Sequence, residues 1–133
     1  MIVIKILSGP HAGKTREVRD NMYEGAAIDP LRLLQQLVQL GSNWQIDYTH
    51  ATENEKFDWG RADLVNRIMR ALIGGRPVFF QGRRWQASSD EDARHFGGEI
   101  EDAIVESGYH VTLEHDDIRG VSVATAHREH PLQ

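Results

Sequence analysis

Leu64, Val65, Ile68, Met69 and Leu72 recur at three- and four-residue spacing, the signature of one apolar helix face. Arg61, Asp63, Arg67 and Arg70 fill the other side of that helix. Asp58 is placed to cap its start, and Gly74-Gly75 to end it, because glycine adopts the left-handed backbone that a helix stop requires. The apolar period then drops from 3.6 to 2. In Val78-Phe79-Phe80-Gln81-Gly82-Arg83-Arg84-Trp85, Gln81-Gly82 suits a two-residue hairpin turn. That turn sets Phe80 opposite Arg83 and Val78 opposite Trp85. Val78, Phe80, Trp85 and Ala87 then share a core face, and Phe79 and Arg84 share the outer one.

The same reading extends along the chain. Ile2, Ile4 and Ile6 alternate with Val3, Lys5 and Leu7, which predicts a central strand. A turn over residues 8–13 leads to a return strand over residues 14–19. Asp29-Pro30 opens an apolar helix that Gly41 stops. Trp44, Ile46 and Tyr48 lie on one face of a following strand. Residues 52–57 are polar and read as a loop. Ser88-Ser89-Asp90-Glu91 starts a third helix, either broken or restarted at Gly97-Gly98. A last hairpin spans residues 109–116 and 121–127, with its turn at 117–120. The order is ββ-α-β-α-ββ-α-ββ. This predicts an α+β fold, a mostly antiparallel sheet built from hairpins with about three helices on one face.

The 133 residues suffice for one domain with a sizeable core, taken to run from 1 to 133. The absence of cysteine excludes disulfides and thiolate metal sites. The apolar first strand is too short to span a membrane and lacks the features of a signal peptide, which points to a cytoplasmic protein without membrane partners. The net charge of −5 disfavours a dedicated nucleic-acid binder. The charge is uneven. Residues 88–133 carry 11 acidic against 3 Lys or Arg, and residues 1–87 carry 9 against 12. The plain explanation is two halves facing each other in one domain; the functional one is a charged face that orients a partner.

No set of residues specifies a reaction, and catalytic residues stay unassigned. Gly9-Pro10-His11-Ala12-Gly13-Lys14-Thr15 has the wrong glycine spacing for a phosphate-binding loop, and it leads into a strand where such a loop must open a helix. Locally this stretch resembles the first hairpins of forkhead-associated and ribosomal KOW-type β domains. The later strands and phosphate-reading residues of those families have no counterpart here, and their function is not carried over. His110, His115, Asp116 and Asp117 have metal-ligand chemistry, but the two histidines differ in strand parity and the aspartates suit a turn. His127 and His130 have helical spacing in a presumed tail. Glu99, Glu101, Asp102 and Glu106 form a solvated helix face. No metal and no cofactor are therefore expected.

Trp44, Tyr48, Phe57, Trp59, Phe79 and Trp85 pair large apolar bodies, in several cases, with a polar tip. Most belong to the core. The candidate contact or pocket residues are Phe79, Arg84, Arg83, Trp59, Asp58, Trp44 and Tyr48. The leading expectation is a small binding or protein-interaction module that self-associates as a homodimer. The alternative is a small-ligand pocket, with an acid-base enzyme as one form of it. A third reading is weak nucleic-acid binding through Lys5, Lys14, Arg16, Arg19 and the Arg83-Arg84 turn.

Overall fold

The computed structural model describes residues 1–19, 29–107, 110–116 and 119–126. Its elements follow the predicted order in an α+β arrangement: β1 (Ile2–Ile6), β2 (Thr15–Val18), α1 (Pro30–Gln39), β3 (Trp44–Asp47), α2 (Glu53–Ile73), β4 (Val78–Phe80), β5 (Arg83–Trp85), α3 (Asp90–Ser107), β6 (His110–Asp116) and β7 (Gly120–Ala126). The strands form two sheets, a three-stranded one ordered β2-β1-β3 and a four-stranded one ordered β5-β4-β7-β6. The chain makes two compact units, Met1–Asn66 and Arg67–Gln133, and the division falls inside α2.

In the first unit β1 is the central strand, antiparallel to both neighbours, as its two-sided apolar pattern predicts. Ile2 and Ile4 from β1, Val18 from β2 and Trp44 from β3 are buried with Leu34, Leu37 and Val38 of α1 and Trp59 and Ala62 of α2. The α1 start follows the sequence: the Asp29 carboxylate accepts from the backbone amides of Leu31 and Arg32, and Pro30 occupies the first turn, where its missing N–H costs nothing.

The start of α2 differs from the sequence expectation. The helix begins at Glu53, so residues 53–57 are helical where a loop was predicted, and Asp58 sits exposed within the helix and caps nothing. Thr52 and Glu55 explain the earlier start. Thr52 Oγ1 accepts from the Glu55 amide at 3.1 Å, and Glu55 Oε1 accepts from the Thr52 amide at 2.8 Å. This reciprocal pair satisfies two amides that the helix itself leaves open. The Met1 ammonium also donates to the buried Glu55 carboxylate at 2.6 Å.

In the second unit the β4–β5 ladder has the predicted register, with Val78 opposite Trp85 and Phe80 opposite Arg83. Gln81 and Gly82 both take positive φ, 53° and 72°, which is the backbone of a type I′ turn. β7 joins β4 in parallel and β6 in antiparallel fashion. Gly120 permits the parallel join: a β-carbon there would run into the Pro77 carbonyl, which accepts from the Val121 amide at 2.9 Å. The predicted turn residues Asp117 and Ile118, and the tail histidines His127 and His130, lie outside the described residues.

α3 is continuous through Gly97-Gly98, contrary to the expected break. Ser89 Oγ accepts from the Asp92 amide, and the Asp92 carboxylate accepts from the Ser88 hydroxyl, fixing the first turn. Gly97 is buried where Met69 of α2 fills the space a side chain would take, whereas Gly98 faces open space.

Candidate functional site

The structure separates the seven candidate residues by burial and by unit. Trp44 and Trp59 belong to the core of the first unit. Trp44 donates its indole N–H to Asp63 at 2.6 Å, so its polar tip is satisfied inside the protein. Tyr48 packs partly buried against the same core. Asp58 is exposed on α2. These four do not present a common aromatic surface to solvent.

The three candidates of the second unit do lie together, on one hairpin. Trp85, Phe80 and Val78 face inward and are buried. Trp85 is 8% exposed, donates to the Phe80 carbonyl at 3.3 Å, and meets Phe96 of α3 edge to face at 5.6 Å. Arg83 lays its guanidinium over the Trp85 ring at 3.9 Å, a cation–π contact at the rim of the core. Phe79 and Arg84 are partners across the ladder and both are exposed, Phe79 to 37%. Strand alternation thus turns one aromatic and one guanidinium to solvent while closing the other face.

No family model, curated protein or solved structure matches the chain.

Two features escape the sequence reading. Phe57 is 57% exposed on α2, with the Arg61 guanidinium 5.4 Å from its ring centre. The i, i+4 spacing signals that pair once the helix is extended back to Glu53. The other is the continuation of the Phe79–Arg84 face onto β7 and β6, where Ser122 and Glu114 are exposed and paired. That pairing depends on a parallel join between distant strands, for which the hydrophobic pattern carries no signal.

Elsewhere the electrostatics serve local structure. Thr49 donates to Asp47 Oδ1 through its hydroxyl and its amide, and these bonds hold the Asp47 carboxyl below the usual carboxylate range, with Lys5 and His50 adding to the effect. Burial lowers the Arg70 guanidinium, and the charges of Arg67 and Arg76 lower it further. Among the described residues no three His, Asp or Glu side chains gather as a metal site. The Gly9–Thr15 stretch joins the two strands of a hairpin, with Lys14 accepting from the Ile6 amide at 2.9 Å, and opens no helix. Among the described residues no helix is long and apolar enough to cross a membrane.

Proposed function

We propose that this chain is a small cytoplasmic protein-interaction module that self-associates through the outer face of its second sheet. The carrying observation is the exposure of Phe79 beside Arg84 on a hairpin whose opposite face is packed. Aromatic and arginine side chains are enriched in the energetic centres of protein interfaces. A rigid ladder also presents them with little ordering cost on association. The alternative pocket reading loses two of its aromatics, since Trp44 and Trp59 are closed within the core.

Mass measured across a concentration series tests the proposal, together with a thermal-shift panel of metals, nucleotides and metabolites. The module reading expects mass to rise with concentration and the melting temperature to stay unchanged by small molecules. A monomer at all concentrations, with a large ligand-specific rise in melting temperature, supports a pocket instead, because a ligand that binds only the folded state stabilises it by mass action.

A further inference from the structure

The outer face of the second sheet is ordered by charge as well as by exposure. Arg84 on β5 pairs with Phe79 on β4, Phe79 pairs with Ser122 on β7, and Ser122 pairs with Glu114 on β6. The four residues make one row across all four strands, and all four are exposed. A cation stands at one end of the row and an anion at the other. Strands lie about 4.8 Å apart, so three spacings put the ends roughly 14 Å from each other. That span is too long for Arg84 and Glu114 to pair within one chain.

We propose that a second copy of this chain covers the row face to face, related by a two-fold axis parallel to the strands, so that Arg84 of each copy meets the partner subunit's Glu114. This rests on the self-association proposed above and adds its pairing rule. The row is complementary to itself only in that orientation. An axis along the row, perpendicular to the strands, sets Arg84 against Arg84 and Glu114 against Glu114, and juxtaposed like charges oppose association. The axis parallel to the strands reverses the row. It makes two Arg–Glu pairs and lays each Phe79 over the partner subunit's Ser122. Facing sheets pack about 10 Å apart, a gap that a long guanidinium side chain and a glutamate bridge together. The patch is narrow, since β4 and β5 contribute three residues each. A dimer joined by exposed charge pairs weakens with salt.

The test is sedimentation equilibrium on Arg84→Glu, on Glu114→Arg, on an equimolar mixture of the two, and on the double swap. Each single variant turns both pairs from attraction to repulsion and should weaken association about tenfold or more. The mixture and the double swap restore two opposite-charge pairs and should recover wild-type association. At concentrations low enough that the wild type is monomeric, melting temperatures should not change, because both side chains are exposed. Single variants that associate like wild type, or a mixture and double swap that stay monomeric, overturn the pairing rule. If Phe79→Ala disrupts the dimer while the charge variants do not, the interaction face stands and the pairing rule alone falls. If the wild type never associates, both fall.

Discussion

Phe79 lies directly opposite Arg84 in the β4–β5 ladder, and both project outward while their neighbours Phe80 and Trp85 project into the core. A one-residue slip of that ladder would exchange the two faces, burying a guanidinium and exposing a tryptophan. The Gln81-Gly82 turn prevents the slip. The assignment of core and contact residues in this unit follows from that turn.

Trp85→Ala should destabilise the protein by about 3–5 kcal/mol, the cost of truncating a large buried aromatic. It removes the edge-to-face packing on Phe96 and the support for Arg83. Phe79→Ala should cost under about 1 kcal/mol, as exposed positions do. Urea unfolding of the two variants compares them, and equal losses would contradict the inward and outward assignment.

The two central glycines of α3 should respond unequally. Alanine is favoured over glycine within a helix by up to about 1 kcal/mol. Gly98→Ala meets open space and should raise the melting temperature. Gly97→Ala places a methyl group where the Met69 sulfur lies, so Met69 must move, and the variant should melt below Gly98→Ala. A Gly97→Ala variant as stable as Gly98→Ala would show that Met69 yields to the added methyl without cost.

Thr52→Ala should remove about 1 kcal/mol of stability by freeing the first-turn amide of Glu55. Asp58→Ala, at an exposed position within the helix, should change stability by no more than about 0.5 kcal/mol. If Asp58→Ala proves the costlier change, α2 starts later than Glu53.

The Asp47 carboxyl should titrate below the ordinary range, and Thr49→Ala should move it back up. A depressed carboxylate contributes stability above its unfolded pKa and loses that contribution as pH falls through its folded value. The Thr49→Ala effect on stability should therefore be present at neutral pH and vanish in acid below the folded pKa. Carboxyl chemical shifts followed by NMR against pH measure the midpoint, and identical midpoints in both proteins would rule out the Thr49 hydroxyl bond as the cause, since alanine keeps the amide bond.

Local chemistry made much of this fold legible. Asp29-Pro30 announces the α1 start, and Gln81-Gly82 announces the hairpin and its register. The early start of α2 was also written in Thr52 and Glu55, but its first turn is polar, and a reading led by apolar periodicity passes over it. Gly97-Gly98 suggested a break because glycine weakens isolated helices, whereas packing against Met69 gives Gly97 a use. The division into two sheets was not legible: the parallel β4–β7 join links strands some 40 residues apart, and neither turn chemistry nor alternation encodes such a pairing. For the same reason Phe79 and Arg84 could be named from the sequence, but their extension to Ser122 and Glu114 could not.

The most direct test of the central claim is the mass of the wild type and of Phe79→Ala by sedimentation equilibrium over a wide concentration range. Wild-type mass should climb from 15.1 kDa toward twice that value while Phe79→Ala, still folded, stays monomeric. A wild type fixed at monomer mass, or a dimer that Phe79→Ala leaves intact, contradicts the claim.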